Sequence, residues 1–355
     1  MKPMAETDFA NPLPINTEDP GGRQQPMLLV QSLQKHFPIK SGILQRQTGA
    51  VRAVDDISFS VLKGETLGIV GESGCGKSTL ARLLMHLIIA DSGTLVFDGD
   101  PVSEMRGISL RDLRKNMQMV FQDSYFSLNP RLPVRNSIAY GPIVHGMGKI
   151  EAQRLANDLL NRVGLNSEIF GARYPHELSG AQKQRVNIAR ALALTPRVLI
   201  LDEAVSALDK SVEAQVLNLL NELKRDFNLT YLFISHDLNV VQYISDRVLV
   251  MYLGQIVEIG PVEEIYNKPR HPYTRALLHS RLSMNPADRV NEPPIGGDPP
   301  NPINPPSGCR FRTRCVFAEG VCESMQPKLD NVAGDRHLAA CHMTNPSSGH
   351  SKATS

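Results

Sequence analysis

A glycine-rich loop joins an apolar run that ends at Val70 to a stretch with the periodicity of a helix. Its sequence is Gly71-Glu72-Ser73-Gly74-Cys75-Gly76-Lys77-Ser78-Thr79. Glycines allow consecutive backbone N–H groups to face phosphate oxygens, and the N-terminus of the following helix adds the positive end of its dipole. Lys77 is suited to neutralise the β- and γ-phosphates, and Ser78 to offer its hydroxyl to Mg²⁺. The loop predicts a nucleoside triphosphate site, against the alternative of a strand–turn–helix in some other α/β protein.

Polar residues end three other apolar runs, where they would supply the chemistry of phosphate hydrolysis. Asp202 and Glu203 end one run, and adjacent carboxylates there suit a water-mediated Mg²⁺ contact and the polarisation of an attacking water. Gln122 ends a second run, within reach of metal or water, and His236 ends a third, within reach of the γ-phosphate. Each residue alone is also typical of a solvated strand end. Together they predict one site, because an α/β sheet binds ligands at the carboxyl ends of its strands.

The elements that must position these residues alternate between buried strands and amphipathic helices, which predicts a parallel sheet covered on both faces. A strand over Asn116–Asp123 carries Gln122 at its end, and the stretch 130–175 is mostly helical. Partial alternation in Val51–Val61 indicates an antiparallel strand with one face toward water. The helix after the loop has apolar residues at three- and four-residue spacing: Leu80, Leu83, Leu84, Leu87 and Ile88.

The 355 residues are 41% hydrophobic with a formal net charge of +2, so the chain can bury a core and lacks the positive charge of a nucleic-acid-binding protein. No apolar run approaches the roughly 18–20 residues that span a bilayer. The N-terminus lacks the apolar core of a signal peptide. We therefore expect a cytosolic chain that reaches a membrane only through a partner, with disordered tails at residues 1–26 and 346–355.

Four of the five cysteines lie close together near the C-terminus, with the spacing C-x5-C-x6-C-x18-C: Cys309, Cys315, Cys322 and Cys341. In a reducing compartment such a cluster indicates metal rather than disulfides. Four thiolates can hold a [4Fe–4S] cluster. Zn²⁺ on four cysteines and four uncoordinated cysteines are the alternatives. His337 and His342 are candidate substitute ligands, but we expect them to be surface residues. Cys75, in the glycine-rich loop, has no predicted metal role.

The motifs fall in the order found in ATPase subunits of ABC transporters, which residues 28–270 resemble. The resemblance assigns them as Walker A, Q-loop, signature, Walker B with catalytic glutamate, D-loop and switch histidine, in this order: Gly71–Thr79, Gln122, Leu178–Gln182, Val198–Glu203, Ser206–Asp209 and His236. It implies an α/β fold of the P-loop NTPase (RecA-like) type with an antiparallel β subdomain. A helical subdomain at about residues 123–180 would be inserted into this ATPase domain of residues 27–270.

The same resemblance implies a head-to-tail dimer in which each ATP lies between the Walker A loop of one subunit and the signature of the other. Phe37 would stack on adenine, with His36 as the second choice. The other implied nucleotide contacts are Gly71, Ser73, Gly74, Cys75, Gly76, Lys77, Ser78 and Thr79 on this chain's own ATP, and Ser179, Gly180, Gln182 and Asp209 on the partner's. Ala181 stands where the family has a second glycine, which would weaken the composite site unless its φ angle is negative.

Several segments are similar to the dipeptide/oligopeptide importer branch, and most of all to the second ATPase subunit of a heterodimeric pair: Glu72–Cys75, Gln122–Arg131, Asp202–Asp209, His271–Thr274 and Gly308–Cys315. This similarity implies peptide import powered by ATP and Mg²⁺ from the cytoplasmic face of the membrane. The implied partners are another ATPase subunit, two transmembrane permease subunits and, indirectly, an extracytoplasmic binding protein. A C-terminal domain at residues 271–345 would carry the [4Fe–4S] cluster.

Other functions share parts of this pattern. Importers of nickel chelates, opines or sugars have the same motifs, so the substrate is left open. A soluble ABC protein of DNA repair or translation usually has two ATPase cassettes or a long coiled coil, whereas this chain has one cassette and no heptads. A regulatory module without hydrolysis is disfavoured by the presence of Glu203 and His236.

Overall fold

The computed structural model of the chain describes residues 25–41, 46–102, 107–123, 127–206, 208–280, 300–329 and 336–353. The strands in these ranges are β1 (Leu28–Ser41), β2 (Arg46–Val61), β3 (Thr66–Val70), β4 (Ser92–Phe97), β5 (Asp100–Pro101), β6 (Met117–Val120), β7 (Val198–Asp202), β8 (Thr230–Ile234), β9 (Arg247–Tyr252), β10 (Gln255–Pro261) and β11 (Leu338–Ala339). The helices are α1 (Lys77–Leu84), α2 (Leu110–Asn116), α3 (Val134–Val144), α4 (Lys149–Arg162), α5 (Ser167–Phe170), α6 (Gly180–Leu192), α7 (Lys210–Phe227), α8 (Leu238–Ile244), α9 (Val262–Asn267), α10 (Pro272–His279) and α11 (Gly320–Ser324).

The larger of the two sheets has the strand order β11-β10-β9-β3-β8-β7-β6. Its central pairs are parallel, whereas β10 and β11 run antiparallel at one edge. Alternate residues of β7 enter two different apolar cores, Leu199 and Leu201 on one face and Val198 and Ile200 on the other. Because β7 is buried on both faces, neither face needs polar residues, which explains its unbroken apolar run.

The smaller sheet is antiparallel, with the order β2-β1-β4-β5. The segment Val51–Val61 lies in β2 as predicted, with Val61 opposite Leu28 of β1. Buried residues of β1, β2 and β4 share a core with Leu80 and Leu84 of α1. This subdomain therefore packs over the helix that begins at the glycine-rich loop.

A helical region lies between β6 and β7 and contains α3, α4, α5 and α6. One face of α4 is buried at Ala152, Ala156, Leu159 and Leu160. Gly164 adopts a φ of +76° two residues beyond this helix, a left-handed conformation that suits glycine at a helix end. These elements agree with the mostly helical stretch expected over residues 130–175.

The C-terminal region is packed onto the ATPase fold. β11 pairs with β10 at the edge of the larger sheet, and Phe311 joins a core that also contains residues of β7 and β8. Residues 346–353, expected to be a disordered tail, instead form a 3₁₀ turn at Pro346–Ser348 and bury His350, whose Nε2 lies 2.9 Å from the Phe317 carbonyl oxygen. That expectation was wrong for these residues because a buried histidine holds the segment.

Two further element boundaries differ from the sequence expectations. Helix α1 ends at Leu84, and His86 has a φ of +52°, so Leu87 and Ile88 lie beyond the helix. The strand expected over Asn116–Asp123 is shorter, because Asn116 still belongs to α2 and β6 ends at Val120. Among the described residues, no helix is long and apolar enough to cross a membrane.

Candidate functional site

The glycine-rich loop connects β3 to α1 in a conformation that depends on its glycines. Gly71 and Gly76 have φ angles of +151° and +110°, and a Cβ on either would approach a backbone carbonyl oxygen to within 2.2 Å. The Lys77 ammonium is buried and donates hydrogen bonds to the carbonyl oxygens of Gly71 (2.7 Å) and Glu72 (3.0 Å). The loop therefore wraps around its lysine, with Ser73 and Gly74 exposed at the tip.

The Cys75 thiol points away from the exposed side of this loop. It is 3% exposed and belongs to the core beneath α1, and burial raises the pKa of the thiol. Only the backbone of Cys75 is therefore available to a nucleotide, and here its N–H donates to the Glu72 carbonyl oxygen at 3.2 Å.

Two of the three expected Mg²⁺ ligands, Ser78 and Asp202, lie together although they belong to different elements. Ser78 is in the first turn of α1, and its hydroxyl donates to Oδ1 of Asp202, the last residue of β7, at 3.2 Å. Burial raises the pKa of the Asp202 carboxyl, with the negative charge of Glu203 adding to the effect and the Ser78 hydrogen bond opposing it. The positive charges of Arg82 and Lys77 also oppose the shift. A carboxylate oxygen beside a serine hydroxyl is a donor pair that suits Mg²⁺.

Three polar residues converge just beyond neighbouring parallel strands. Glu203 follows β7, Gln122 lies two residues beyond β6, and His236 lies two residues beyond β8. Gln122 Nε2 donates to Oε2 of Glu203 at 2.7 Å, and the same oxygen lies 3.4 Å from Nδ1 of His236. Glu203 has a φ of +49°, and its N–H donates to the Ile234 carbonyl oxygen at 2.9 Å. This left-handed turn directs the carboxylate between the other two side chains.

The signature segment forms the start of α6 and is satisfied within its own helix. Ser179 caps the helix, and it exchanges hydrogen bonds with Gln182 in a capping box, at 3.0 and 3.3 Å. Gly180 is exposed, and a Cβ there would meet no atom within 4 Å. Ala181 lies inside α6 and does not have a positive φ angle. Its backbone therefore meets the requirement of a negative φ under which alanine is tolerated at this position.

The remaining candidates for nucleotide contact lie on exposed positions. Asp209 is exposed at the N-cap of α7. Phe37 is 39% exposed, with the Lys35 ammonium 5.6 Å from its ring centroid, whereas the His36 ring is held 2.8 Å from an Asp55 carboxylate oxygen. Phe37 therefore remains the better candidate for stacking. Ser124, Tyr125, Phe126 and Ala207, which belong to the motifs of the family resemblance, lie outside the described residues.

The four C-terminal cysteines are brought together. All of them line one pocket, which they share with aromatic side chains such as Phe311 and Phe317. Burial raises the pKa of the Cys309 thiol to about 11 and that of the Cys341 thiol to about 12. Within the described ranges, no group of three or more His, Cys, Asp or Glu side chains is arranged to hold a single metal ion.

The expectation that His337 and His342 are surface residues is wrong, because both are buried against other partners. His337 is buried, with Nε2 2.6 Å from a carboxylate oxygen of Glu258. His342 does line the pocket, but its Nε2 lies 2.9 Å from the Met325 carbonyl oxygen. The set of donors that faces the pocket is therefore dominated by thiols.

Sequence reasoning passed over two residues that touch the glycine-rich loop. The Arg314 guanidinium forms an ion pair with the Glu72 carboxylate, and the Tyr273 hydroxyl accepts a hydrogen bond from the Glu72 N–H. Both residues lie in segments that resemble the importer branch, but neither was predicted to reach the loop. The sequence places Arg314 directly before Cys315, but this position alone does not predict which residue the arginine contacts.

A phosphate loop that faces a serine–aspartate pair and a carboxylate at neighbouring strand ends defines an ATPase of the P-loop class. Sequence profiles refine this class. The ABC transporter profile matches residues 54–206, and the profile of the oligopeptide/dipeptide transporter C-terminal region matches residues 257–322.

Comparison with individual proteins also gives ABC transporter ATP-binding proteins. The chain is 49% identical over 324 residues to the oligopeptide transport ATP-binding protein AppF of Bacillus subtilis, covering 90% of this chain and 98% of AppF. It is 44% identical over 319 residues to the dipeptide transport ATP-binding protein DppF of Escherichia coli, covering 90% and 94%. The structure of cbiO1 from Clostridium perfringens, part of the ABC transporter complex cbiONQ, superposes with a TM-score of 0.59 at 28% identity, covering 68% of this chain and 91% of cbiO1.

The chain belongs to the ABC transporter ATP-binding proteins, in the oligopeptide/dipeptide branch. It is therefore an ATP-hydrolysing subunit of a transporter, and the expected fold, a P-loop ATPase with antiparallel and helical subdomains, is confirmed.

Proposed function

We propose that this chain hydrolyses ATP with Glu203 polarising the attacking water and His236 contacting the γ-phosphate. Lys77 neutralises the β- and γ-phosphates, while Ser78, Asp202 and Gln122 serve the Mg²⁺ ion. The observation that carries this assignment is the convergence of Gln122 and His236 on one carboxylate oxygen of Glu203. Such a triad orients a water by hydrogen bonds and needs no covalent intermediate, which matches phosphoryl transfer to water.

The second half of the site is proposed to serve a partner subunit's nucleotide. The start of α6 is exposed at Ser179 and Gly180, and the side chains of Ser179 and Gln182 bond within their own helix. The exposed Asp209 carboxylate makes no capping hydrogen bond to α7. An exposed helix N-terminus suits a phosphate brought by another subunit. We take that subunit to be a different ABC ATPase, and Phe37 to stack on the adenine of this chain's own ATP.

The transported solute is proposed to be a dipeptide or oligopeptide, taken up through two transmembrane permease subunits and delivered by an extracytoplasmic binding protein. The chain would act at the cytoplasmic face of the membrane as a peripheral subunit. Support comes from the names of its relatives and from the match of its C-terminal region to the peptide-transporter profile. Nickel chelates, opines and sugars are the competing substrates.

Uptake measurements test this substrate class. Disruption of the gene in its own host should abolish uptake of radiolabelled di- and oligopeptides, and the wild-type gene should restore it while Glu203→Gln should not. Uptake of labelled nickel and of sugars should remain unchanged in the same strains. Loss of nickel or sugar uptake with normal peptide uptake would contradict the peptide assignment.

We propose further that the four cysteines hold a [4Fe–4S] cluster. The pocket fits this group because it brings four thiols, the ligand type that holds such a cluster, to one lining beside aromatic side chains. In such a cluster each thiolate binds a different iron. Zn²⁺, which takes four thiolates on one ion, is the competing occupant.

Metal analysis of anaerobically purified protein tests the cluster. We expect about four iron and four acid-labile sulfide per chain, reduced by Cys309→Ser but retained in Cys75→Ser, which removes the fifth cysteine in the glycine-rich loop. One zinc without sulfide would replace the cluster by a structural zinc site. Neither metal would mean that the four thiols are uncoordinated.

A further inference from the structure

The side of the phosphate loop that faces the C-terminal region is held at Glu72. Its carboxylate accepts hydrogen bonds from both terminal nitrogens of Arg314, Nη1 at 2.9 Å and Nη2 at 3.1 Å. The Arg314 side chain is 6% exposed and the Glu72 side chain 24%. A bidentate pair that is largely shielded from water fixes the orientation of both groups more strongly than a surface ion pair.

The backbone of Glu72 is held from the same direction. Its N–H donates to the Tyr273 hydroxyl oxygen at 2.9 Å. Tyr273 is fully buried, and burial raises the pKa of its phenol, so the hydroxyl stays neutral at physiological pH. The ring packs against Tyr252 and Phe311, with centroids 4.6 and 5.5 Å away. The acceptor for this N–H is therefore part of a rigid aromatic cluster.

Movements of Glu72 would reach the catalytic lysine directly. The Glu72 carbonyl oxygen accepts a hydrogen bond from Lys77 Nζ at 3.0 Å, and the neighbouring Gly71 carbonyl accepts a second at 2.7 Å. Arg314 and Tyr273 lie well beyond the part of the chain that the ABC transporter profile matches, which ends at residue 206. Arg314 and Tyr273, which lie outside the profile match, therefore contact the phosphate loop, which lies inside it.

We propose that Arg314 and Tyr273 are positioning residues for the ATPase reaction. They hold Glu72, and through its carbonyl group Lys77, in the arrangement that receives the phosphates, so the C-terminal region presets the affinity of the phosphate loop for ATP. The advantage is one of preorganisation, since a loop already held in place loses less freedom when the nucleotide binds. Neither residue contacts ATP in this scheme.

The test compares Mg-ATP binding and turnover in full-length variants. Arg314→Gln should raise the calorimetric Kd and the KM for ATP about tenfold and change kcat little, because the water-polarising groups on the other side of the loop are untouched. Arg314→Lys, which keeps the charge but loses the bidentate geometry, should lie between this variant and the wild type. Tyr273→Phe keeps the ring and removes one acceptor, and should raise Kd about fivefold.

Arg312→Gln is the matched control, since Arg312 lies two residues away in the same segment. Its nearest acid is Glu323 at 3.5 Å, and it donates to Ser307. Its Kd for ATP should equal that of the wild type. Thermal melting of every variant separates loss of fold from loss of positioning, because a merely structural Arg314 would lower Tm and leave Kd unchanged in the folded protein.

A double-mutant cycle decides whether the effect passes through Glu72. If it does, Glu72→Gln and Arg314→Gln combined should bind ATP no more weakly than either alone. Unchanged Kd in Arg314→Gln, or additive losses in the double variant, would overturn the proposal. Wild-type protein that fails to bind Mg-ATP at all would instead contradict the ATPase assignment itself.

Discussion

Two regions assemble their polar groups in different ways. One is the sheet edge that we propose to carry out ATP hydrolysis, called the catalytic edge, and the other is the cysteine pocket. At the edge, Gln122, Glu203 and His236 follow three neighbouring strands, β6, β7 and β8, within two residues of each strand end. In the pocket, the cysteines come from turns, from the short helix α11 and from the residues after β11, and Cys309 N–H donates to the Cys322 carbonyl at 2.8 Å.

Because of this difference, substitutions in the two regions should affect different properties, the ATPase reaction in one and the stability of the fold in the other. At the sheet edge, the backbone is fixed by parallel pairing that does not involve the reactive side chains, so exchanging one of them should alter the reaction and leave the fold intact. In the C-terminal region, polar side chains are themselves the contacts that join the segments. Where such a contact does not reach the phosphate loop, its substitution should affect stability first and ATP turnover second.

The largest expected effect on turnover comes from the catalytic edge. Glu203→Gln should lower kcat by about 10²- to 10⁴-fold, because the amide no longer accepts a proton from the attacking water. Mg-ATP should still bind, and Tm should stay near that of the wild type. The Glu203 carboxylate contacts exposed side chains, and the exchange keeps both backbone hydrogen bonds of the residue, from its N–H to the Ile234 carbonyl oxygen and from the Ser206 N–H to its own carbonyl oxygen. Turnover by steady-state phosphate release and ATP affinity by calorimetry measure the two quantities.

Glu222→Gln is the appropriate control for this variant, because Glu222 lies on α7, away from the catalytic edge, and the exchange is chemically the same. It should retain full activity. Hydrolysis at the wild-type rate in Glu203→Gln would remove Glu203 from the reaction, and a large fall in Tm would mean that the edge residues also hold the fold.

Substitution of Glu258 in β10 is expected to have the largest effect on stability and a smaller effect on turnover. Its fully buried carboxylate accepts hydrogen bonds from the N–H groups of Arg270 (2.6 Å) and His271 (3.1 Å) and lies 2.6 Å from His337 Nε2. It thereby joins the sheet, the start of α10 and the strand β11. Glu258→Gln should lower the free energy of unfolding by about 2–4 kcal/mol, because an amide cannot accept all three bonds.

Denaturant unfolding measures that change, with Glu263→Gln in the first turn of α9 as the control. In the Glu258 variant we expect kcat per folded molecule within about twofold of the wild type, since no catalytic group is moved. Equal stability of the two variants would contradict the distinction between the regions, and so would a loss of kcat in folded Glu258→Gln.

The catalytic edge was predictable from the sequence because its geometry follows from local rules. A strand end delivers the residues that follow it to a known place, so the order of apolar runs and polar residues was enough to predict that Asp202, Glu203 and His236 lie at one edge of the sheet. The closeness of Gln122 to Glu203 was also expected, although β6 is shorter than predicted and Gln122 lies in the following loop.

The contacts of the C-terminal region were not predictable in the same way. Arg314 meets Glu72 across 242 residues, and Arg310 meets Asp55 across 255. Such pairs depend on how β10 and β11 are placed at the sheet edge, and no periodicity or spacing in the sequence encodes that placement. The ordered segment at residues 346–353 was missed for the same reason, since only the tertiary fold shows what buries His350.

The smallest effect is expected at Ala181, where the family pattern has glycine. The residue is the second of α6, in a helix whose start is fixed by the Ser179–Gln182 capping box. Because its backbone is helical, alanine costs nothing there and glycine would lower helix stability by about 0.5–1 kcal/mol. Ala181→Gly should therefore change kcat by less than about twofold, measured on the complex with its partner subunits. A several-fold gain in turnover would show that the methyl group obstructs the partner's nucleotide, and the signature side would then be the weaker half of the site.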